Sequence, residues 1–204
     1  MTTRTNSSRE RILKCSEALI LKKGFAGTSI EDILEKAAIT KGGFFYHFEN
    51  KAVLAHALVE RYLQQDEIIF SDLFKQVDDL SEDPLHQLLI FLKLFAEMMG
   101  QLQETHPGCL VVSFTYESHQ FNDDIRELIK QGLSSWHKMI SVRLENITQK
   151  YPMQGDISID ALADMFISSI EGGIILSRAF QDNELLVKQV LAYRNYLRVL
   201  FEQK

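Results

Sequence analysis

The sequence predicts an all-α protein of about nine helices, and three observations support this. Apolar residues recur at three- and four-residue steps along most of the chain. Capping residues and Gly or Pro stops separate these stretches. The one stretch with strand-like composition, residues 109–118, has no partner strand and is therefore predicted as helix. Residues 1–50 are expected to form one domain and residues 51–204 a second, with the fourth helix as the connector from residue 51.

The first helix is predicted to begin at Ser7 or Ser8, because Ser7 and Glu10 have the spacing of a capping box. It is expected to end at Gly24, since glycine commonly follows a helix C-terminus. Residues 1–6 are expected to be disordered.

The second and third helices are both short. Thr28 and Glu31 have capping-box spacing, which starts a helix at Ser29. Thr40 can cap the next helix, over residues 41–48. That helix opens with Gly42 and Gly43, which cost about 1 kcal/mol each relative to alanine. A bare backbone there favours close approach to a ligand surface.

The third helix has two different faces. Phe44 and Phe48 lie four residues apart and can anchor it, while Lys41, Tyr46 and His47 supply donors suited to phosphate oxygens. Two short helices joined by a tight turn have the layout of a helix-turn-helix. The arginines at positions 4, 9 and 11 are interpreted either as solvated charge or as an arm that reaches DNA.

The residues in this region resemble a known family. The matching segments are Gly24-Phe25, Thr28-Ser29-Ile30, residues 37–42, the aromatic run 44–48, Lys51 and Leu54. Over residues 9–54 the chain resembles the DNA-binding domain of the tetracycline-repressor (TetR) family of bacterial transcription regulators. It departs from the family pattern at three positions. Ala38 replaces the usual turn glycine, Phe45 replaces a phosphate-contacting tyrosine, and Gly43 lacks a side chain.

The resemblance implies a repressor that binds a palindromic operator as a homodimer and is released by a small-molecule effector. Thr40, Lys41, Gly42 and Gly43 would approach base edges or the backbone. Phosphates would be held by Thr28, Tyr46, His47 and Lys51. The full set of expected DNA contacts is Thr28, Ser29, Thr40, Lys41, Gly42, Gly43, Phe45, Tyr46, His47 and Lys51.

The bounds of the remaining helices are predicted from capping and stop residues and from apolar residues at helical spacing. Asn50 caps the fourth, which ends before residues 78–84. Its expected buried side is Leu54, Leu58, Tyr62, Ile69, Leu73 and Val77. A fifth helix is predicted over residues 85–102 and a sixth over 109–118, after a loop at 105–108. Pro152 ends a seventh over 123–151, Ser158 caps an eighth that reaches about residue 179, and the ninth spans 185–201.

The last two helices are predicted to contact a second copy of the chain. They carry apolar residues on more than one face, and two adjacent glycines in mid-helix are tolerable where another helix packs closely. In the resembled family these two helices form the dimer interface. The residues expected there are Ile170, Gly172, Gly173, Leu176, Tyr193 and Leu197.

Helix bundles of this type commonly enclose a cavity, so an effector pocket is expected in the second domain. Its candidate lining is Phe95, Met98, Met99, Leu102, Cys109, Val112, Tyr116, Trp136, Met139, Met165 and Ser169. Ordinary core packing is the alternative for each of them. The many methionines and aromatic rings favour an apolar or planar effector.

Cys109 opens the sixth helix, where a thiolate is stabilised. The Gly-Cys-Leu motif at 108–110, together with Glu171-Gly172-Gly173 and Arg178-Ala179, resembles a branch of the family that includes sensors of electrophiles and of small unsaturated acids. Redox or electrophile sensing through Cys109 therefore remains an alternative, beside a small buried cysteine that only packs.

Charge is distributed unevenly along the chain. The net charge is −6, yet residues 1–56 hold nine Lys or Arg against six Asp or Glu, a balance of +3 that leaves −9 for the rest. This asymmetry fits phosphate binding by the first domain.

Two distant cysteines predict no disulfide framework. The absence of both a run of about 18 apolar residues and a signal peptide predicts a soluble, cytoplasmic protein without a membrane partner.

Motifs of the common enzyme classes are missing from the sequence, namely GxGxxG, P-loop, HExxH, GxSxG and CxxC. No catalysis, cofactor or metal is therefore expected. Three alternatives to the repressor remain: a stand-alone small-molecule binding or metabolic protein, an activator, and the sensor acting through Cys109.

Overall fold

A computed structural model describes the backbone of residues 2–201 and the side chains of residues 7–201. Over that range the chain forms nine α-helices, one short 3-10 helix at Ser118–Gln120 and no strand. The helices are α1 (Thr2–Lys23), α2 (Ile30–Ala37), α3 (Lys41–His47), α4 (Lys51–Leu80), α5 (Pro84–Gly100), α6 (Leu110–Tyr116), α7 (Asp123–Thr148), α8 (Ile159–Phe180) and α9 (Glu184–Phe201). The all-α prediction is confirmed. Within that range no helix has both the length and the hydrophobicity that crossing a bilayer requires.

The start of α1 was predicted too late. The helix begins at Thr2, so residues 2–6 are helical rather than disordered, and Ser7 lies inside the helix instead of capping it. Met1 and the side chain of Arg4 lie outside the described residues. The predicted end is confirmed, because Gly24 follows Lys23 with φ +82°, a left-handed conformation that glycine adopts without strain.

The capping box of α2 was predicted one residue too early. Ser29 is the cap, and its hydroxyl accepts the N–H of Asp32 at 3.1 Å while the Asp32 carboxylate accepts the N–H of Ser29 at 2.7 Å. Thr28 is fully buried and its hydroxyl donates to the carbonyl of Gly24 at 2.8 Å. Both pairs have the right spacing, and the burial of Thr28 decides between them.

The caps predicted for the next helices are confirmed. The Thr40 hydroxyl accepts the N–H of Gly43 at 3.1 Å and starts α3. The side-chain carbonyl of Asn50 accepts the N–H groups of Ala52 and Val53 at 2.9 and 3.0 Å, at the start of α4. Cys109 is the N-cap of α6, which confirms helix rather than strand in this segment.

The chain divides into two compact units. The N-terminal unit comprises Met1–Gln65 and Pro107–Gly132, and the C-terminal unit comprises Asp66–His106 and Leu133–Lys204. The first predicted domain thus lies in a larger unit, which adds the start of α4, α6 and the start of α7. Within this unit Arg61 of α4 holds α1, because its guanidinium bonds to the carboxylates of Glu10 at 2.8 Å and Glu17 at 2.5 Å.

In the C-terminal unit α9 packs against both α5 and α8. The Tyr193 hydroxyl donates to the carbonyl of Leu162 at 2.9 Å, and Arg194 donates to the carbonyl of Leu89 at 2.8 Å. The rings of Phe74 and Phe91 stack with their centroids 4.1 Å apart in the core. The two hydrogen bonds join α9 to α8 and to α5, and the ring stack joins α4 to α5, all within a single chain.

Two helices differ from their predictions in this unit. Ile69 was expected on the buried side of α4 but is 39% exposed. It lies in the middle of that helix, where residues 60–72 are all half-buried or exposed. The seventh helix ends at Thr148 rather than at residue 151. There Asp83, the N-cap of α5, accepts hydrogen bonds from the Lys150 ammonium at 2.5 Å and the Tyr151 hydroxyl at 2.6 Å. Burial raises the pKa of Asp83, but these two hydrogen bonds outweigh it and hold the pKa well below its usual range.

Candidate nucleic-acid interface

The first turn of α3 presents bare backbone at the surface. Gly42 is exposed, and a Cβ added there would meet no protein atom within 4 Å. A Cβ on Gly43 would instead lie 3.3 Å from both Ile39 Cγ1 and Thr40 Oγ1. The two glycines therefore serve different purposes. Gly43 leaves room for the Thr40 cap, and Gly42 leaves the helix surface open to a ligand.

Two phenylalanines anchor the opposite side of α3. Phe44 and Phe48 are 0% and 1% exposed, with ring centroids 5.8 Å apart. Because they fix that face, Phe45 and Tyr46 point away from the core, at 41% and 74% exposure. A tyrosine held in this way offers its hydroxyl to a phosphate oxygen, and a half-exposed phenylalanine offers an apolar surface.

The turn between α2 and α3 uses a left-handed residue. Ala38 has φ 48° and ψ 55°, and its N–H donates to the carbonyl of Glu35 at 3.2 Å. The N–H of Ile39 donates to the carbonyl of Leu34 at 3.1 Å. Glycine is the usual residue at such a helix end. Ala38 departs from the family pattern there, yet it adopts the same left-handed conformation and keeps the hydrogen bonds of the turn.

Two residues expected to hold phosphates make hydrogen bonds within the N-terminal unit. Thr28 is buried and its hydroxyl is bonded to Gly24. The Lys51 ammonium donates to the carbonyl of Phe25 and lies 4.0 Å from the centroid of that ring. Burial lowers the pKa of Lys51, and the nearby Glu117 carboxylate opposes that shift. Both side chains thus have structural roles inside the unit, and their phosphate contacts stay a prediction.

Two further candidates are engaged within the protein. His47 is half-buried with Nε2 3.1 Å from the Ser8 hydroxyl, and burial followed by the charge of Arg9 lowers its pKa. The lowered pKa favours the neutral imidazole, which is a hydrogen-bonding group rather than a cation. The Ser29 hydroxyl is exposed but donates to Asp32 at 2.6 Å. A hydrogen bond from Lys23, followed by those from Ser29, holds the pKa of Asp32 well below its usual range.

Five of the expected residues are exposed on or beside α3, and one of them, Thr40, also caps the helix through its hydroxyl. This recognition surface consists of Thr40, Lys41, Gly42, Phe45 and Tyr46, each of which is exposed. It combines a cation, two hydroxyls and an apolar ring around an open helix backbone. Such a set can bind phosphates and read base edges together.

A cleft of about 410 Å³ lies elsewhere in the N-terminal unit. Its lining mixes Arg9, His47 and His56 with Glu60 and Asp124. Because carboxylates repel a phosphate backbone, the cleft does not extend the recognition surface.

The candidate effector residues fall into three groups. Phe95 is buried, and its ring centroid lies 5.9 Å from Phe70 and 6.2 Å from Phe91. The half-buried residues of the C-terminal unit are Met98, Met99, Leu102, Trp136, Met139, Met165 and Ser169. The remaining three candidates, Cys109, Val112 and Tyr116, belong to the N-terminal unit. Tyr116 is 74% exposed, so its ring lies on the surface and does not line an interior pocket.

Cys109 is 5% exposed, and its sulfur accepts the N–H of Val112 at 3.5 Å. It therefore packs as an interior cap of α6. Among the side chains of residues 7–201, no group of three or more His, Cys, Asp or Glu is arranged to hold a metal ion.

Three of the expected dimer residues lie inside a single chain. A Cβ on Gly173 would lie 2.8 Å from Leu186 Cδ1, so this glycine allows α8 and α9 of the same chain to approach. Tyr193 and Leu197 are 3% and 0% exposed. Their expected contacts with a partner chain are therefore corrected, because the core of the C-terminal unit already encloses them.

The outer faces of α8 and α9 carry other apolar residues. Leu176, one of the expected set, is 37% exposed, while Ile170 and Gly172 are half-buried. Sequence reasoning missed the most exposed apolar residues, Ile175, Phe180 and Val199, at 53%, 69% and 70%. Apolar residues occur on more than one face of α8 and α9, so helical spacing alone could not tell which face is exposed and which lies in the core.

A second feature missed from sequence is Glu117. Its carboxylate accepts the N–H groups of Phe25 and Ala26 at 2.7 and 2.8 Å. These partners lie more than 90 positions earlier in the chain, so no local pattern marks the contact.

Both parts of the chain match families of known proteins. Residues 12–58 match the family described as bacterial regulatory proteins, tetR family. Residues 84–189 match the C-terminal domain of LmrA/YxaF-like transcriptional regulators. A helix-turn-helix transcriptional regulator of Lactococcus lactis, from the lacX 3′ region, is 29% identical over 180 residues and covers 88% of each chain.

Two more similarities extend over almost the whole chain. The transcriptional repressor DhaR of Mycobacterium sp. strain GP1 is 25% identical over 199 residues, which cover 95% of this chain and 90% of that repressor. The crystal structure of a TetR-family regulator from Agrobacterium tumefaciens has the same fold, with a TM-score of 0.79 at 23% identity over 97% of this chain and 100% of that one. The open first turn of α3 thus occurs in a chain that matches the family in both its N-terminal and its C-terminal part, and the chain belongs to the tetR family of bacterial transcription regulators.

Proposed function

We propose that this regulator is a repressor that binds a palindromic operator as a homodimer and releases it when a small molecule binds. The observation that carries the proposal is the recognition surface, which presents a cation, hydroxyls and open backbone on one anchored helix. DhaR, to which the chain is similar along most of its length, is named a transcriptional repressor. That similarity supports repression over activation.

In the proposed complex α3 enters the major groove. Lys41 and Thr40 approach base edges or phosphates from the first turn, and the open surface at Gly42 lets the DNA backbone come close. The Tyr46 hydroxyl bonds a phosphate, and the exposed ring of Phe45 contacts sugar or a thymine methyl. The residues 1–56 carry a balance of +3, which supports attraction to phosphate.

The proposed dimer contact uses the outer faces of α8 and α9. Ile175, Leu176, Phe180 and Val199 expose apolar surface there, and an exposed patch of this kind commonly marks an interaction site. A two-fold dimer presents two copies of α3 to two half-sites of a palindrome.

The proposed effector is an apolar or planar molecule that binds in the C-terminal unit, where methionines and aromatic rings are abundant. The helix α4 begins in one unit and ends in the other, so it is the proposed lever between effector and DNA. A switch from 1:99 to 99:1 requires a differential affinity of about 5.5 kcal/mol.

The test begins with wild-type protein and duplexes selected from random DNA. Fluorescence anisotropy then compares wild type, Lys41→Ala and Lys138→Ala on the selected duplex at two salt concentrations. Lys138 is an exposed lysine on α7 and serves as the matched control. We expect tight binding that weakens steeply with salt, a weaker Lys41→Ala complex, and no change for Lys138→Ala. Selection of no preferred sequence would contradict operator binding.

Gly42→Ala separates DNA contact from stability. Alanine at this open position favours the helix by up to about 1 kcal/mol, so the variant should melt no earlier than wild type. The added methyl would nevertheless stand between α3 and the DNA backbone, and the affinity for the selected duplex should fall. Unchanged affinity would remove Gly42 from the proposed contact.

The electrophile sensor remains a second candidate that the structure does not favour. Cys109 is 5% exposed and its sulfur caps α6, which limits access of an electrophile to the thiol. If Cys109→Ser retains induction by a given effector, thiol chemistry has no part in that response.

A further inference from the structure

A carboxylate from a distant part of the chain holds the turn between α1 and α2. Glu117 directly follows α6, and its two oxygens accept the N–H of Phe25 at 2.7 Å and the N–H of Ala26 at 2.8 Å. Two adjacent backbone amides are thus bound by a single charged side chain. Hydrogen bonds to an ionised acceptor are stronger than those between neutral groups.

Phe25, the buried residue of this turn, has further contacts within the unit. The Phe25 ring is 6% exposed, and its centroid lies 5.4 Å from that of Phe114 and 4.7 Å from that of Phe121. Lys51 donates to the Phe25 carbonyl and lies over its ring. The N–H, the carbonyl and the ring of Phe25 are therefore all held by residues outside α1 and α2.

This turn sets the start of the helix-turn-helix. The hydroxyl of Thr28 bonds back to Gly24, and Ser29 then caps α2. The helices α2 and α3 contain only eight and seven residues. Helices of that length are not stable alone, so their position depends on the contacts that hold them and on the chain that leads into them.

We propose that Glu117 is a positioning residue for DNA binding. It fixes the turn between α1 and α2 so that α3 presents the recognition surface already ordered before DNA arrives. Without the carboxylate the turn gains freedom that docking must remove, and the affinity falls. This inference rests on the proposed operator binding.

Electrostatics alone predicts the opposite sign. Glu117→Gln removes a negative charge from the unit that carries the recognition surface, which by itself would strengthen the attraction to phosphates. The amide also replaces one acceptor oxygen by an NH₂ group, which cannot accept the backbone N–H. The variant thus loses one of the two hydrogen bonds and the charge that strengthens the other. Weaker binding would therefore report the lost hydrogen bonding and not the change in long-range charge.

The experiment compares wild type, Glu117→Gln and the matched control Glu127→Gln on the duplex that wild type selects. Glu127 lies on α7 in the same unit, with a 55% exposed side chain 3.7 Å from the Lys130 ammonium. By fluorescence anisotropy we expect about tenfold or greater weakening for Glu117→Gln, and unchanged or tighter binding for the control. We also expect hydrogen exchange at the amides of Phe25 and Ala26 to accelerate at least about tenfold in Glu117→Gln, while the amides of α9 keep their rates.

Each result has one meaning. If wild type binds its duplex and Glu117→Gln binds equally well, the role of Glu117 is overturned and operator binding stands. If wild type selects no duplex, operator binding is overturned, and this role of Glu117 with it. If circular dichroism shows Glu117→Gln unfolded at the assay temperature, Glu117→Asp replaces it, because aspartate keeps the charge but withdraws the carboxylate by one methylene. Wild-type affinity in that variant would equally overturn the proposal.

Discussion

Ala38 occupies a backbone conformation that glycine adopts more easily. Its φ of 48° and ψ of 55° lie in the left-handed region, which costs a residue with a Cβ roughly 1–2 kcal/mol. Glycine would remove that cost but lose more conformational entropy on folding, by about 0.4–1 kcal/mol. We therefore expect Ala38→Gly to raise the stability by about 0.5–1 kcal/mol, measured as a higher midpoint in thermal unfolding.

The neighbouring residue supplies the control for this prediction. Ala37 is 1% exposed at the end of α2, where glycine leaves a small cavity and weakens the helix. Ala37→Gly should lower the unfolding midpoint. A lower midpoint for Ala38→Gly as well would show that the left-handed turn carries no strain.

At the scale of single residues, the sequence identified which side chains could cap but not always which one does. Thr28–Glu31 and Ser29–Asp32 both fit the spacing of a capping box. The choice depends on the burial of Thr28, which is a tertiary contact without a local signal. The hydrogen bond of Lys51 likewise has no local signal, since its partner Phe25 lies 26 positions away.

At the scale of helices, the two adjacent glycines of α8 have opposite surroundings. A Cβ on Gly173 would lie 2.8 Å from Leu186 Cδ1 and 3.0 Å from Leu186 Cα, whereas one on Gly172 would meet nothing within 4 Å. We expect Gly173→Ala to lower the stability by about 1–3 kcal/mol, because the backbone of α9 must move away. Chemical denaturation with a helical signal measures the change.

Gly172→Ala is the matched variant for this helix. In the isolated chain the alanine favours the helix by about 1 kcal/mol and should stabilise it. If Gly172→Ala is as damaging as Gly173→Ala while the protein remains monomeric, the close packing of α8 on α9 does not explain the difference between the glycines.

Periodicity and stop residues were sufficient to predict all nine helices described over residues 2–201, because each amphipathic stripe is a local pattern. The ends were less predictable. The helix α7 was expected to reach residue 151 but ends at Thr148. Lys150 and Tyr151 instead donate hydrogen bonds to Asp83, which lies 67 and 68 positions earlier in the chain. Similarly, the sequence marked residues 172 and 173 as a place of close packing, but not which glycine faces α9.

At the scale of the whole molecule, the exposed apolar faces of α8 and α9 predict self-association. Phe180 is 69% exposed, and an aspartate there would place a charge in the proposed interface. We expect wild type to sediment with twice the mass of the chain and Phe180→Asp to shift toward the single-chain mass. Analytical ultracentrifugation at matched concentrations measures this.

Tyr116→Asp is the control for surface charge, because Tyr116 is 74% exposed in the N-terminal unit. It should keep the wild-type mass. A monomeric wild type, or a Phe180→Asp variant that remains dimeric, would contradict the proposed interface.

The broad division of the chain was also only partly predictable. The charge asymmetry and the short helices pointed to a DNA-binding segment at residues 1–50. The structure adds residues 107–132 to that compact unit, through the contacts of Phe114, Glu117 and Phe121 with the turn at Phe25. Nothing in the local sequence marks Glu117 as a partner of that turn.

Hydroxyl-radical footprinting of the duplex selected by wild type tests the central claim most directly. A homodimer that reads a palindrome through two copies of α3 should protect two half-sites whose centres lie about one helical turn apart, or a multiple of it. Lys41→Ala should lose both protected regions at the same protein concentration. A single protected region, or uniform protection along the duplex, would contradict operator recognition by a two-fold dimer.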